Sequence, residues 1–331
     1  MKLKATLMAL LLGASTALAG CGSDVKEEAS STSSSDDKLN IYTTIYPLQD
    51  FATKIGGEHV NVESIFPPGV DAHTFEPTSK TMVNLAQADA FIYSGIGLEG
   101  FVDNAKKTLV NEEVQLVEAA EDIELAQHAE NHDAHAHEEE NHNDHAHEEE
   151  SHDAHAHGDE DPHVWIDPIL SITLAENIKK SLVELKPDAK EDFEKNFEAV
   201  KADLLALDQE FKQTIETSSK KEILVAHAAY GYWEKRYGLQ QISVAGLSPT
   251  NEPSQKQLKE IIKEAQEHQI KYIIFEQNLQ PKIAELVQKE IDAEALTLHN
   301  LESATKEDVQ NNEDYFSIMK KNIETLKKAL N

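Results

Sequence analysis

The sequence predicts an α/β protein with two lobes of parallel sheet and flanking helices, joined by a single long rigid helix. In both halves of the 331 residues, short β-rich runs alternate with helical patterns, which is typical of parallel sheets with helical crossovers. Between the halves, apolar residues recur every three or four positions over roughly thirty residues, which predicts one helix about 45 Å long. Its buried stripe consists of Phe193, Phe197, Val200, Leu204, Leu207, Phe211 and Ile215.

The first twenty residues predict a signal peptide. Lys2 and Lys4 precede an apolar run that is too short for a stable membrane span. The run ends in Leu-Ala-Gly-Cys, which resembles the bacterial lipobox, in which the cysteine, here Cys21, is lipidated. We therefore expect residues 1–20 to be removed and residues 21–38 to form a flexible tether. The protein would then be exported and lipid-anchored to the outer face of the bacterial cytoplasmic membrane.

The overall composition indicates a globular protein and excludes one class of partner. Apolar residues make up 40% of the chain, and its length suffices for two ordinary domains. The formal net charge is -31. Binding to nucleic acid depends on Lys and Arg neutralising phosphates, so we expect no nucleic-acid partner.

We assign residues 39–186 to an N-terminal α/β lobe. LNIYTTIY, VNVESIF and AFIYSGIG predict strands, with helices at Leu48–Ile55, Thr78–Ala90 and Ile169–Leu185. The third strand leads into GIGLEG, residues 95–100, which matches the dinucleotide pattern G-x-G-x-x-G. We interpret it as a glycine-permitted tight turn, because nicotinamide and flavin dinucleotides are scarce outside the cytoplasm.

A loop rich in His, Asp and Glu interrupts this lobe at residues 128–160. It contains three ten-residue repeats and almost no large apolar residue, so we expect a solvated loop. Imidazole suits zinc, copper and nickel, and the carboxylates add a negative field that concentrates cations. We expect weak, multiple and accessory zinc binding; the competing interpretation is a merely solubilising loop. Its histidines are His128, His132, His135, His137, His142, His145, His147, His152, His155 and His157.

The second half repeats the first half's design. We assign residues 187–217 to the linker helix and residues 218–331 to a C-terminal α/β lobe. EILVAH, LQQISVAGL, IKYIIFEQN and AEALTLHNLES predict its strands. Ser254 is placed to cap one helix, Pro281 begins another, and a final helix runs from about Asp314 to Leu330.

Six histidines lie outside this loop, and three of them share a setting. His73 and His227 follow predicted strands, and His163 lies in the Pro-bounded segment DPHVWIDP. Ligands bind at the carboxyl ends of strands in open α/β sheets, so these three are candidates for a site. Their intervals are not a local metal signature such as HExxH, so spacing alone does not show that they meet. We interpret His59 and His268 as solvated.

Three motifs supply what spacing does not. PPGVDAHTFEPT, DPHVWIDP and VAHAAYGYW resemble those of the metal-binding lipoproteins that serve ABC importers of zinc and manganese. The resemblance covers essentially the whole chain from about Leu39. It implies two lobes joined by one helix and a metal held in the cleft between them by four side chains. The histidines would be His73, His163 and His227.

The fourth ligand in that family is an acidic residue after a late strand of the second lobe. Glu302 is the match, with Glu276 as the competitor and His299 a more distant third. Ligating histidines donate their other N–H to a carboxylate or carbonyl, which makes Asp167 a candidate partner. The alternative is that Asp167 only begins the helix at Pro168. The family also implies a monomer with an ABC permease and its ATPase as partners, and no enzymatic activity.

The ligand types favour zinc as the transported ion. Manganese-binding members of the family carry a carboxylate where His227 stands, and manganese favours oxygen ligands. Three imidazoles and one carboxylate are softer and can close tetrahedrally on zinc. Three alternatives stay open: a manganese or broad divalent-metal protein, a secreted zinc hydrolase with Glu302 as general base, and a metal-buffering adhesin.

Overall fold

The computed structural model describes residues 38–127 and 160–331. The predicted signal peptide, Cys21, the tether up to residue 37 and the ten histidines of the loop lie outside the described residues. Among the helices of those two ranges, none combines the length and the apolar character that a membrane span requires.

The first lobe is a four-stranded parallel sheet with the strand order β2-β1-β3-β4. Its strands are β1 (Leu39–Thr43), β2 (Val60–Ser64), β3 (Ala90–Tyr93) and β4 (Gln115–Glu118), and its helices are α1 (Tyr46–Gly56), α2 (Ser79–Ala86), α3 (Val102–Leu109) and α4 (Pro168–Leu185). A short antiparallel hairpin precedes α4; its strands are β5 (Ala126–Gln127) and β6 (Glu160–Asp161).

The second lobe repeats this topology. Its strand order, β10-β9-β7-β8, places the first strand of the lobe between the second and third, as in the first lobe. Its strands are β7 (Glu222–Val225), β8 (Gln240–Ser243), β9 (Tyr272–Glu276) and β10 (Glu294–Leu298), and its helices are α6 (Gly231–Tyr237), α7 (Gln255–Glu267), α8 (Lys282–Glu290), α9 (Lys306–Gln310) and α10 (Tyr315–Ala329). The predicted two-lobe α/β architecture is confirmed.

A long helix, α5 (Lys190–Thr217), runs between the lobes after a 3-10 turn at Pro187–Ala189. All seven apolar residues of the predicted stripe are buried on it. Its 28 residues extend about 42 Å and contact α1, α4 and α10. The stripe therefore forms the centre of an apolar core that continues from the first sheet to one face of the second.

The C-terminal helix adds a second connection between the lobes. Tyr315 at its start packs on Phe51 of α1, with ring centroids 4.9 Å apart. Lys54 of α1 pairs with Asp314 at 3.1 Å, and the hydroxyl of Tyr46 donates to the carbonyl of Glu313. The chain thus returns from the second lobe to the first, which adds contacts that oppose relative movement of the lobes.

Several local predictions change. Helix α2 ends at Ala86, short of the predicted Ala90, because β3 already begins there. The prediction lacks helices α3, α6 and α9 and strands β4, β5 and β6; each has eight residues or fewer, too short for a clear periodicity. The GIGLEG segment is a tight turn as predicted, since Gly95 and Gly97 have φ values of 83° and 78°, which favour glycine. The capping role of Ser254 is confirmed.

Candidate metal site between the lobes

Four side chains from widely separated segments meet between the two sheets. His73 follows β2 and His163 follows β6, whereas His227 and Glu302 follow β7 and β10 of the second lobe. One nitrogen or oxygen atom from each of the four lies within 4.8 Å of the others. The ring centroids of the three histidines are 4.9 to 5.6 Å apart. The structure therefore brings together the four residues that the sequence motifs selected.

Polar atoms without partners converge at the centre of this cluster. Nε2 of His73, Nε2 of His163 and Oε1 of Glu302 are buried and have no hydrogen-bond partner among the described residues. Oε1 of Glu302 lies 3.5 Å from Nε2 of His73 and 3.9 Å from Nε2 of His163. Ligand atoms of a tetrahedral zinc site, each about 2.0–2.1 Å from the ion, lie about 3.3 Å from one another. The donor types fit a cation, and the donor atoms, which are up to 4.8 Å apart, would move closer together around it.

Asp161 holds the ring of His163. Its Oδ1 accepts hydrogen bonds from Nδ1 of His163 at 2.7 Å and from the backbone N–H of the same residue at 2.9 Å. The other ring nitrogen, Nε2, then faces the cluster. Burial lowers the pKa of His163 and outweighs the opposing influence of Asp161, which favours the neutral imidazole that a metal ligand requires.

Glu276 holds the ring of His227 in the corresponding way. Nδ1 of His227 donates to Oε1 of Glu276, while Oε2 of Glu276 accepts from the side-chain amide of Asn300 at 3.0 Å. Nε2 of His227 lies 3.2 Å from the carbonyl oxygen of Leu247. Burial alone would lower the pKa of His227, but the charge and hydrogen bond of Glu276 raise it to about 9.

A network of hydrogen bonds shapes the loop that carries Glu302. The backbone N–H of Glu302 donates to Asn300 Oδ1, and Oε2 of Glu302 accepts from the N–H of Ala72. Leu301 takes a positive φ of 63°, and its N–H donates to Nδ1 of His299. Burial would raise the pKa of Glu302, but the three histidines lower it to about 2, so a carboxylate is present at neutral pH.

His299 faces away from the four-residue cluster. Its Nδ1 accepts from Leu301 and its Nε2 donates to Asp308 at 3.0 Å, so both ring nitrogens have partners in the loop. The two histidines predicted to be solvated lie near acidic side chains: His59 contacts Asp192 at 3.0 Å, and His268 lies 3.7 Å from Glu222.

His73 is the most exposed member of the cluster. Its side chain is 11% exposed, compared with 3% or less for the other three. Its loop is docked on the second lobe, where Ser303 Oγ donates to the carbonyl of Val70 at 2.7 Å and Gly69 N–H donates to the carbonyl of Ala304 at 2.9 Å. Solvent therefore reaches the cluster most closely at His73.

The prediction that Asp167 accepts a hydrogen bond from a candidate histidine is wrong. Its Oδ1 accepts from the N–H groups of Ile169 and Leu170 and so caps α4, and its Oδ2 pairs with Arg236 at 2.5 Å. The alternative reading, a residue that begins the helix, is the correct one. Sequence reasoning missed Asp161, although its place two residues before His163 was an available signal.

The fold and the cluster define a class: a two-lobe α/β protein with a buried group of three imidazoles and one carboxylate that could hold a metal ion. A family model described as zinc-uptake complex component A, periplasmic (ZnuA), matches residues 41–329. The chain therefore belongs to the ZnuA family.

Individual relatives agree with this assignment. The chain is 36% identical over 313 residues to the high-affinity zinc uptake system protein ZnuA of Bacillus subtilis, covering 95% of this chain and 93% of that protein. It is 36% identical over 295 residues to the zinc-binding lipoprotein AdcA of Streptococcus pneumoniae, covering 89% of this chain but 56% of that protein. The Zn(II)-bound ZnuA-like domain of pneumococcal AdcA has a TM-score of 0.70 and 33% identity, covering 88% of this chain and 99% of that domain.

Proposed function

We propose that this protein captures Zn²⁺ between its two lobes outside the cytoplasm and delivers it to an ABC permease for import. One observation carries the proposal: three buried atoms of His73, His163 and Glu302, which have no hydrogen-bond partner in the described parts of the chain, converge on one point beside His227. Buried polar atoms without partners are costly, and a cation at that point would satisfy them together. The zinc-uptake and zinc-binding names of the two relatives support the same metal.

We infer that Glu302, and not Glu276, is the fourth ligand. Glu276 uses one carboxylate oxygen on His227 and the other on Asn300. Glu302 uses one oxygen on Ala72 and leaves the other directed at the cluster. This division supports a ligand role for Glu302 and a positioning role for Glu276.

The donor set favours zinc over manganese. Three imidazole nitrogens and one carboxylate oxygen match the tetrahedral preference of zinc, whereas manganese prefers oxygen-rich sites of higher coordination. The same set argues against a zinc hydrolase, because catalytic zinc keeps an open position for water. The proximity of Glu302 Oε1 to two of the imidazoles supports a closed transport site in which Glu302 is not a general base.

We also propose the cellular arrangement that the sequence indicates. Residues 1–20 would direct export, lipidated Cys21 would anchor a monomer to the outer face of the membrane, and residues 21–38 would tether lobes at 39–186 and 218–331. Residues 128–160 would bind additional zinc weakly. The permease and its ATPase would be the partners, and the protein would have no enzymatic activity of its own.

Elemental analysis followed by zinc titration tests the proposed site. We expect one tightly bound zinc per protein. Single alanine substitutions of His73, His163, His227 and Glu302 should each weaken binding, and Glu276→Ala should weaken it by about 10–100-fold through His227. His268→Ala, at an exposed histidine outside the cluster, is the control and should bind zinc as the wild type does. Unchanged zinc affinity in the four ligand variants would overturn the proposed site.

A further inference from the structure

We propose that Asp161 is the positioning residue for His163, and that Gly231 supplies the space in which Asp161 does this. The inference rests on the proposed zinc function and adds two residues to it. Asp161 ends β6 in the first lobe, whereas Gly231 opens α6 in the second. The two lie on different elements but are in contact.

The backbone of Asp161 is held in place by its neighbours. The residue is 2% exposed, and its carbonyl oxygen accepts from the hydroxyl of Tyr232 at 2.8 Å. Its partner Ala126 in the hairpin donates its N–H to the same hydroxyl. Backbone pairing and the tyrosine therefore fix the position from which Oδ1 contacts His163.

This contact determines which nitrogen of His163 faces the cluster. With Nδ1–H donating to Oδ1, the lone pair lies on Nε2, the atom that is 3.9 Å from Glu302. His163 is completely buried, so its Nδ1 depends on Asp161 for a hydrogen-bond partner. Without Asp161 the ring would sample both tautomers and other orientations, and only one arrangement can bind metal.

Gly231 is required for space. An added Cβ at Gly231 would approach Oδ2 of Asp161 to under 3.0 Å, closer than real Cβ atoms come to other atoms. Gly231 is not among the glycines with positive φ, so its backbone conformation does not demand glycine. Within a helix, alanine is ordinarily more favourable than glycine. An effect of Gly231→Ala on zinc binding would therefore arise from the carboxylate and not from the helix.

The space beside Asp161 allows its carboxylate to move while the protein stays folded. Oδ2 of Asp161 has no hydrogen-bond partner among the described residues. Asp161 and Gly231 both line a cavity of about 810 Å³ that α6, β8 and α7 also border. A methyl group at position 231 can thus displace the carboxylate into this space, which breaks its contact with His163.

A double-mutant cycle on the full-length protein tests the proposal. Zinc dissociation constants are measured for the wild type, Asp161→Ala, Gly231→Ala and the double variant. We expect Asp161→Ala to weaken zinc binding by about 10–100-fold and Gly231→Ala to weaken it in the same direction. Both substitutions act on zinc binding through the carboxylate of Asp161. The double variant should therefore bind zinc as Asp161→Ala alone does. Additive losses, or unchanged affinity in Asp161→Ala, would overturn the proposal.

Two controls and one spectroscopic readout separate positioning from general stability. Asp167→Asn removes a carboxylate from the same segment that does not touch His163, and Gly100→Ala adds a methyl group where nothing lies within 4 Å. Both should bind zinc normally. Asp161→Asn keeps an acceptor for Nδ1–H and should recover most of the affinity lost in Asp161→Ala. Histidine ¹⁵N shifts of the zinc-free protein should show His163 protonated at Nδ1 in the wild type and mixed in Asp161→Ala.

The outcomes distinguish this inference from the proposed function. If His163→Ala leaves zinc binding intact, the proposed site itself is wrong. If His163→Ala abolishes tight binding while Asp161→Ala retains it with one His163 tautomer, only the positioning role is wrong. If Asp161→Ala does not fold, Gly231→Ala and Asp161→Asn still test the positioning role of Asp161. Gly231→Ala must then weaken zinc binding. Wild-type zinc affinity in Gly231→Ala would overturn the inference.

Discussion

The two lobes share a strand order but contribute differently to the cluster. The second lobe provides His227 directly after β7, and Asn300 ties its partner Glu276 to the loop of Glu302. The first lobe provides His73 from a long loop that is docked on the second lobe by backbone and Ser303 contacts. Of the four side chains, His73 lies nearest solvent, because His163 of the first lobe is as buried as His227 of the second. We infer that zinc enters and leaves on the His73 side.

The largest expected effect separates these two sides. His227→Ala should weaken zinc binding by more than about 100-fold, because it removes a buried ligand and leaves Glu276 without its partner. His73→Ala should weaken zinc binding less than His227→Ala does, because water can take the vacated position at the partly exposed side of the site. Competition titration with a chelator measures both. A greater loss for His73→Ala than for His227→Ala would contradict the proposed asymmetry.

Two asparagines also distinguish the two sides of the site. Asn300→Ala should weaken zinc binding by about tenfold, because Asn300 joins Glu276 to the backbone of Glu302. Asn278 instead donates to the carbonyl of Gly69 at the base of the His73 loop. Asn278→Ala should mainly accelerate zinc release, which stopped-flow transfer to a chelator measures. Equal effects of the two variants on both affinity and release rate would contradict this division.

Acid should weaken the anchor of the Glu302 loop. Burial would raise the pKa of Asp308, but hydrogen bonds from His299 and Thr305 lower it well below 3.8, its value in an unfolded chain. A carboxyl group with a lowered folded-state pKa adds stability above pH 3.8, and this contribution disappears as the pH falls further. Asp308→Asn should therefore reduce the unfolding free energy at pH 7 and make less difference below pH 3.8. Denaturant unfolding of zinc-free wild type and Asp308→Asn at pH 7 and below pH 3.8 measures this effect. An equal difference in unfolding free energy under the two conditions would contradict the prediction.

The smallest expected change is in overall shape. Helix α5 connects the lobes, and α10 returns to α1 through Tyr315 and Asp314. Both connections oppose hinge rotation, so zinc binding should involve modest lobe movement and local loop ordering. Small-angle scattering of zinc-free and zinc-loaded protein should give nearly equal radii of gyration. A large hinge rotation on zinc binding would contradict the rigid-connector mechanism.

Much of the fold could be predicted because its signals are local. Alternating strand and helix patterns and the stripe from Phe193 to Ile215 depend only on periodicity along the chain, and the structure contains both. Periodicity along the chain could not predict the position of α10 against the first lobe. Its contacts join residues more than 250 positions apart, which no local pattern encodes.

The site was predictable only in part. Motifs selected its three histidines, but Glu276 and Glu302 both lie near the end of a predicted strand, which kept Glu276 open as the competitor of Glu302. The sheet register separates them: Glu276 is the last residue of β9, paired beside Leu298 and held against His227, while Glu302 lies beyond β10 in a loop. The contacts of Asp161 with His163 and Gly231 depend on how β6 meets α6, which appears only in the folded chain.

X-ray absorption spectroscopy of zinc-loaded protein lacking residues 128–159 can establish whether the four-residue cluster binds zinc. The deletion removes the repeat histidines, so the spectrum reports only the site between the lobes. We expect one zinc per protein, with three imidazole nitrogens and one carboxylate oxygen at about 2.0–2.2 Å from the ion. Loss of tight zinc binding on deletion, or a spectrum with fewer than three imidazoles, would contradict it.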